Sequence, residues 1–436
     1  MSAMSLSLLV AFSILAVLLA AGVQVGVVLA LAAMAGSFVF TGNWSVGLAL
    51  PLIQSLDVAS SYSLMVIPLF IALGSIAEKT GVTGDLFIAF YRWVGHYRGG
   101  IGVATIATCA GMSAITGSSM AVSASMAKIA LPELRRYNYD DKLSLGAIAM
   151  GGTLAIMIPP SITLVLYAIF AEQSVGQMLI AGVLPGFLIT ALYIFKIAIR
   201  CRITPTLGPA GPRFNWHDRL LAIGLVLPFV TIVLLIILGI LFGIWTPSEA
   251  AAIGLVLVMI AGAMRRRLTI STVVQAAKEA ISVSASIMLV VIGSMMISNF
   301  IALSGVNDIL SSYVISLGLQ PFMLFIVLVI IYFILGMFLE ATSILALTVP
   351  LVLPIAVATG WHPVWFGVIL VCMMEIAAVT PPVGLNLFVM KATVPDVTLA
   401  EIYEGAAPFW LVNILVVFVL YFFPEIALVL PLAMLH

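Results

Sequence analysis

The sequence predicts an all-α polytopic membrane protein with two internal repeats, each a re-entrant hairpin followed by a broken helix. Three observations carry this prediction. The first is composition, because 64% of the 436 residues are hydrophobic, 8% are charged, and the mean hydropathy is +1.29. A water-soluble globule cannot bury that much apolar surface, so the solvent must be lipid. The second is about a dozen apolar stretches long enough to cross a bilayer. The third is a polar segment followed by a double proline, which occurs twice.

The N-terminal run 5–31 is apolar and has neither a charged leading region nor an evident small-residue cleavage site. It is too long for the apolar part of a signal peptide, so it predicts one retained membrane helix. The chain has 17 basic and 17 acidic residues, which gives no argument for nucleic-acid binding. Its three cysteines and four histidines lack metal-ligand or catalytic spacing, so we expect no cofactor, transition metal or enzymatic activity.

Basic residues predict the orientation of the chain. Most of them fall in four clusters, and the positive-inside rule places these clusters in the cytoplasm. The clusters lie at 92–98, 128–142, 196–219 and 265–278. Between the last two clusters we expect two spans joined by an external turn at 242–245. The second span opens on a capping box from Thr246 to Glu249, so Glu249 is predicted to cap a helix.

The segment 99–127 is predicted to form the first re-entrant hairpin. Basic clusters flank both of its ends, whereas a straight helix would place those ends on opposite sides of the membrane. Its centre, 111–119, is small and polar, so we expect the tip near 116–119. Backbone at such a tip is prohibitively costly in lipid, and it must therefore be buried in protein or line a watery cavity.

The next helix, 143–171, is predicted to be broken at Pro159 and Pro160, because consecutive prolines remove two backbone donors. Carbonyl groups before such a break lose their partners and become available to a cation. The new N-terminus after the break offers N–H groups to an anion.

A second copy of the same pattern lies near the C-terminus. A hairpin over about 325–358 has its polar tip at 340–343, and a helix over about 363–391 is broken at Pro381 and Pro382. The two copies have similar spacing, with 42 residues from Gly117 to Pro159 and 39 from Thr342 to Pro381. Paired interrupted segments of this kind point to repeats that form a binding site near the bilayer midplane. The few basic residues around the second copy are compatible with an inverted repeat.

Two carboxylates and one amide within apolar sequence are candidate functional groups. Glu340 adjoins the second tip, and it is equally compatible with a cation site and with fixing the loop through backbone N–H groups. Glu375 precedes the second break by about a turn and a half, and it is interpreted as a hydrogen-bonded structural acid or a proton carrier. Asn386 follows the break and could bind a substrate carboxylate or hydroxyl.

Three motifs in this order resemble the large membrane (M) subunits of tripartite ATP-independent periplasmic (TRAP) transporters, of the ion transporter superfamily. They are 152–161 (GTLAIMIPPS), 245–251 (WTPSEAA) and 380–386 (TPPVGLN). The resemblance implies an elevator-type carrier in the bacterial inner membrane that takes up an organic carboxylate, such as a C4-dicarboxylate or a sugar acid, with sodium as coupling ion. It also implies two partners, a small four-helix (Q-type) membrane subunit and a periplasmic substrate-binding protein.

The resemblance further implies a division of the chain and a set of site residues. Scaffold helices would occupy 1–80 and 201–320, the two transport repeats 81–200 and 321–400, and a C-terminal helix 401–436. The implied sodium ligands are Thr116, Gly117, Ser118, Ser119, Thr153, Thr342, Ser343 and Thr380. The implied substrate contacts are Pro159, Pro160, Ser161, Pro381, Pro382, Gly384 and Asn386.

Three alternatives stay open at this point. A related two-hairpin dicarboxylate or anion carrier would work alone, without a binding protein. A membrane-embedded hydrolase using a tip serine lacks a nearby histidine to act as base. A channel is disfavoured, because paired inverted hairpins fit alternating access better.

Overall fold

A computed structural model of the chain describes residues 3–381 and 384–434. Over these ranges the chain forms 21 α-helices and two short 3-10 helices, without any strand. The first five α-helices are α1 Ala3–Ala20, α2 Val25–Thr41, α3 Trp44–Ser60, α4 Val66–Lys79 and α5 Val82–Val94. The prediction of one helix over 5–31 is therefore wrong. Gly22, between α1 and α2, has φ +74°, a left-handed conformation that ends a helix and that glycine adopts without steric cost.

The predicted hairpin and broken helix of the first repeat fold into four helices. They are α6 Gly100–Thr116, α7 Ser119–Arg136, α8 Asp141–Met157 and α9 Ile162–Phe170. Helices α6 and α7 form a hairpin whose turn is Gly117 and Ser118, and α7 extends beyond the predicted end at residue 127. Helices α8 and α9 are separated at the double proline, as the sequence predicts. Re-entry of the hairpin into a bilayer stays a prediction.

The middle of the chain contains the longest helix and the predicted turn between two spans. Its helices are α10 Val175–Ala181, α11 Val183–Ile203, α12 Trp216–Leu241, α13 Pro247–Met264, α14 Ile270–Ser304 and α15 Val306–Ser316. The capping box is present at the start of α13. The Thr246 hydroxyl accepts from the Glu249 N–H at 3.3 Å, and the Glu249 carboxylate accepts from the Thr246 N–H at 2.8 Å.

The C-terminal region repeats the hairpin and the broken helix. Its helices are α16 Pro321–Gly336, α17 Ala341–Ala358, α18 Pro363–Ala377, α19 Leu385–Thr393, α20 Leu399–Phe422 and α21 Glu425–Leu432. The single C-terminal helix expected over 401–436 is instead two helices. Pro424, the N-cap residue of α21, cannot donate the backbone hydrogen bond needed to continue α20.

Nine helical segments in the described ranges are long and apolar enough to cross a membrane, judged by length and composition. Helix α1 shows the lipid-facing character of the surface, since only 17% of its residues are buried within the protein. The chain is therefore a multi-pass membrane protein, as predicted.

Helix α8 lies at the centre of the packing that positions the site. Every residue from Leu143 to Met157 is buried, and the neighbouring helices include α6, α7 and α20. Glycine allows α20 to approach closely, since a Cβ added to Gly146 would lie 2.1 Å from the Gly405 carbonyl oxygen. The first broken helix is thereby held against the C-terminal region.

Candidate functional site

Both hairpin tips and both helix breaks meet around one cavity of about 590 Å³. The first repeat contributes the turn Gly117 to Ser119 and the start of α9. The second repeat contributes Thr342 and Ser343 from the tip, and Gly384 and Asn386 from beyond the break. The sequence hypothesis that the tips and breaks of the two repeats lie together agrees with this arrangement.

In the first repeat the tip packs directly on the break that follows it, since a Cβ added to Gly117 would lie 2.7 Å from the Pro160 carbonyl oxygen. In the second repeat the end of α16 packs on the end of α18, and a Cβ added to Gly336 would lie 2.0 Å from the Ala377 Cβ. Glycine is required at both contacts because any side chain would displace a neighbour. A hydrogen bond of 3.1 Å from the Ser119 hydroxyl to the Asn386 side-chain oxygen then joins the two repeats.

Four helices begin at the cavity wall, and this gives the cavity its electrostatic character. The N-terminal residues of α7, α9, α17 and α19 all line it. The first turn of a helix has N–H groups without backbone partners and carries the positive end of the helix dipole. Among the described lining residues none is basic, so the main chain is the one source of positive potential that these residues offer to an anion.

Asn386 lies in the wall of this cavity. The residue is 1% exposed, and its side-chain oxygen accepts from Ser119. Its Nδ2 is buried with no hydrogen-bond partner among the described residues. A buried donor without a partner costs about 1–3 kcal/mol.

Glu340 is the one ionisable side chain among the described residues that line the cavity. It occupies the N-cap position of α17, and its carboxylate accepts from the Thr342 hydroxyl at 3.0 Å. Both earlier interpretations thus keep support, since the side chain fixes the tip and also faces the space in which an ion would bind.

Three of the residues implied as sodium ligands lie behind the cavity wall. Thr116, Thr153 and Thr380 are buried, and their hydroxyls donate to backbone carbonyls of their own helices at 3.1, 2.8 and 2.6 Å. Because each hydrogen is directed at a carbonyl, the oxygen lone pairs stay available to a cation. The described residues include no group of three or more His, Cys, Asp and Glu side chains that could hold a metal.

Only some of the residues implied as substrate contacts line the cavity. Gly384 and Asn386 line the cavity, whereas Pro159, Pro160 and Ser161 are buried beside it. Ser161 caps α9, where its hydroxyl accepts from the Leu164 N–H at 3.3 Å and donates to the Ile156 carbonyl. Pro381 lies in the turn after α18. Pro382 lies outside the described residues.

Sequence reasoning missed the opposite wall of the cavity. Gln24, before α2, and Ser282 and Ser286, on α14, line that wall. The two serines are four residues apart and therefore share a helix face. That spacing, together with a glutamine inside an apolar N-terminal run, is the signal from which this wall could have been found.

Comparison with known proteins places the chain among transporters of one family. A family model described as "Tripartite ATP-independent periplasmic transporter, DctM component" matches residues 12–426. The chain is 32% identical to the C4-dicarboxylate TRAP transporter large permease protein DctM of Pseudomonas aeruginosa, over 87% of this chain and 88% of that protein. It is 28% identical to the sialic acid TRAP transporter large permease protein SiaM of Vibrio cholerae, over 95% and 96%. The fold is similar to that of the Alcanivorax borkumensis YdaH transporter, with TM-score 0.60 at 13% identity, over 88% of this chain and 86% of that one.

Proposed function

This chain belongs to the DctM component family of tripartite ATP-independent periplasmic transporters, and we propose that it carries an organic carboxylate into the cell in symport with sodium. It is a TRAP large permease subunit and not an enzyme. The proposal adds the substrate class, the coupling ion, the bacterial inner membrane as location, and the mechanism.

The observation that carries the carboxylate proposal is the convergence of four helix N-termini on one cavity whose wall includes Asn386, a residue with an unpartnered amide donor. Main-chain N–H groups and the Asn386 Nδ2 offer hydrogen bonds to oxygen acceptors. C4-dicarboxylates and sugar acids both present such acceptors, and the cavity volume of about 590 Å³ leaves room for either.

Sodium coupling is supported by the chemistry of the buried hydroxyls. Thr116 and Thr153 lie at the first tip and on the first broken helix, and Thr380 lies at the second break. Hydroxyl and carbonyl oxygens are hard ligands suited to a small cation that carries no preference for nitrogen or sulfur. An ion held there would join tip and break, so its binding would favour a closed substrate site.

Elevator-type alternating access is supported by the two different walls of the cavity. One wall is made by the tips and breaks of the two repeats, which are joined by the hydrogen bond between Ser119 and Asn386. The other is made by α2 and α14. In the proposed mechanism the first wall moves as one body, carrying the substrate past the second.

Two partners complete the proposed transporter. A periplasmic substrate-binding protein would deliver the carboxylate, and a small Q-type membrane subunit would assemble with this chain. The family description as a tripartite periplasmic transporter supports both. The alternative of a stand-alone carrier remains as an outcome of the following test.

The test is uptake into proteoliposomes that contain this chain and its small subunit. Radiolabelled C4-dicarboxylates and sugar acids are supplied with and without the binding protein, under an inward sodium gradient or an equal potassium gradient. We expect uptake of one class only when both sodium and the binding protein are present. Equal uptake without the binding protein would indicate a stand-alone carrier, and equal uptake under potassium would exclude sodium coupling.

A further inference from the structure

The cavity wall opposite the hairpin tips carries polar side chains that have no charge. Gln24 lies before α2, and Ser282 and Ser286 lie on α14; all three are exposed and line the cavity. The other residues that 23–25 and 282–290 contribute to the lining are valine or isoleucine. Side-chain hydrogen bonds between this α2–α14 wall and a substrate therefore depend on these three residues.

A close crossing of α2 and α14 fixes where Gln24 and Ser286 lie. A Cβ added to Gly26 would lie 2.5 Å from the Leu289 carbonyl oxygen, and one added to Gly293 would lie 2.3 Å from the Gly26 carbonyl oxygen. The two helices thus meet backbone to backbone, and such close packing leaves little freedom to shift. Gln24 precedes Gly26 by two residues and Ser286 precedes Leu289 by three, so both lie beside this crossing.

The side chains of Gln24 and Ser286 are available to a ligand, although the backbone at both residues is held by helical hydrogen bonds. The Gln24 carbonyl accepts from the Val27 and Val28 N–H groups at 3.0 and 3.1 Å. Its side chain makes no capping hydrogen bond to α2. The Ser286 hydroxyl donates to the Ser282 carbonyl at 3.2 Å, which leaves its oxygen lone pairs open. The wall therefore offers amide donors from Gln24 and acceptors from both residues.

This combination of groups fits an alcohol better than a carboxylate. An alcohol both donates and accepts, so it can pair with the amide oxygen of Gln24 and with its N–H groups. A carboxylate only accepts, and it would leave the oxygens of the wall unpaired. It would also lose hydration without gaining a cation, since no described residue that lines the cavity is basic. A second carboxylate of the substrate is therefore disfavoured at this wall.

We propose that Gln24 and Ser286 determine specificity by binding hydroxyl groups, and that the substrate is a hydroxylated acid of the sugar-acid class. In the proposed complex the acid group faces the helix N-termini of the tips and breaks, and the hydroxyl groups face the α2–α14 wall. This inference rests on the carboxylate transport proposed above. It selects one of the two substrate classes considered there.

The test measures binding to the full chain with its small subunit, in lipid nanodiscs that contain sodium. The binding protein is left out, because its own selectivity would mask that of the cavity. The probes are six-carbon acids: gluconate with hydroxyl groups, hexanoate with none, and adipate with a second carboxylate. Threonate, butyrate and succinate repeat the comparison with four carbons. We expect each hydroxylated acid to bind about tenfold more tightly than its two matches, the effect of one or two hydrogen bonds.

Two variants remove the hydrogen bonds of the wall. Gln24→Leu keeps a side chain of similar size, and we expect the dissociation constant for gluconate to rise about tenfold while that for hexanoate stays within about twofold of wild type. Ser286→Ala should act in the same direction with a smaller effect. Gln275→Leu is the matched control, because Gln275 is also exposed on α14, donates to the Ser271 hydroxyl at 3.3 Å and does not line the cavity.

A third variant tests the position of Gln24 through a gain of binding. Gln24→Lys places a positive charge on the α2–α14 wall, where it can pair with the second carboxylate of adipate. We expect the affinity for adipate relative to hexanoate to rise about tenfold, because hydrogen bonds to a charged group are stronger than neutral ones. A variant that fails to fold cannot produce this gain.

The outcomes separate this inference from the proposed function. Tighter binding of adipate or succinate than of the hydroxylated match would overturn the sugar-acid assignment and leave carboxylate transport standing. Equal losses of gluconate and hexanoate affinity in Gln24→Leu would overturn hydroxyl recognition by Gln24. An unchanged ratio of adipate to hexanoate affinity in Gln24→Lys would show that the substrate does not reach this wall. Absence of binding by all six acids would overturn the carboxylate proposal, and the inference with it.

Discussion

Replacement of Asn386 by leucine tests whether the free amide donor in the cavity binds the carboxylate. Leucine has nearly the same size but donates no hydrogen bond. A hydrogen bond to a charged group contributes about 1.5–3 kcal/mol, and each 1.4 kcal/mol is about a factor of ten. The Asn386 Nδ2 makes no hydrogen bond within the described residues. The free energy of a lost hydrogen bond to substrate would therefore not be recovered by an internal one. We therefore expect Asn386→Leu to lower the initial uptake rate at subsaturating substrate by about tenfold to a hundredfold.

The assay is sodium-driven uptake into proteoliposomes at equal amounts of inserted protein. Asn299→Leu is the matched control, because the Asn299 amide donates at 3.1 Å to a carbonyl of its own helix, and it does not line the cavity. The control should stay within about twofold of wild type. An uptake rate in Asn386→Leu equal to that of the control would refute the assignment of Asn386 as a substrate donor.

Three further predictions concern stability, measured as the melting temperature in detergent. Gly405→Ala should destabilise the fold by at least about 1–3 kcal/mol, because its Cβ would lie 2.1 Å from a carbonyl oxygen of α8. The control Gly224→Ala should leave the melting temperature unchanged, because its Cβ would have no atom within 4 Å. Equal melting temperatures for the two variants would contradict this packing. Thr246→Ala should cost about 1 kcal/mol by removing the cap of α13, whereas Thr246→Ser should restore it. A hydrogen bond from Arg135 lowers the pKa of Asp396, so this carboxylate stabilises the fold above its ordinary pKa and the contribution is lost as the pH falls. Asp396→Asn should accordingly melt below wild type at pH 7, a difference that is constant above about pH 4 and shrinks as the pH falls further through the lowered pKa of Asp396; a difference independent of pH would exclude the ion pair as its cause.

Local chemistry made the repeats predictable from sequence. A double proline cannot continue a helix, so the break between α8 and α9 follows from Pro159 and Pro160 themselves. The first turn was equally predictable, since Gly117 adopts φ +59° and Ser118 caps the next helix. The predicted bounds of the helices were less accurate than the predicted positions of the turn and the break. Helix α7 continues through Pro132 to Arg136, because packing against α8 stabilises it beyond the polar tip.

Contacts between distant parts of the chain could not be predicted in the same way. The polar residues Gln24 and Ser286 were visible in the sequence, but the wall they form depends on how α2 packs against α14, and no local pattern specifies that pairing. The hydrogen bond between Tyr193 and Asn413 could not be predicted either, because the two residues are 220 positions apart in sequence. The break at Gly22 was missed because a single glycine within an apolar run does not by itself require a left-handed backbone.

The four helix N-termini at the cavity have a consequence for how a transporter of this kind can change its substrate. A positive potential that arises from main-chain dipoles does not depend on a group that titrates near neutral pH, and no single side-chain substitution removes it. In the proposed carrier, the main-chain share of the attraction for an acid group would therefore be a property of the fold. Selection between a small and a large acid would then depend on side chains such as Asn386 and on the shape and hydroxyl content of the walls. P. aeruginosa DctM and V. cholerae SiaM are named for acids of different size, a C4-dicarboxylate and a sialic acid.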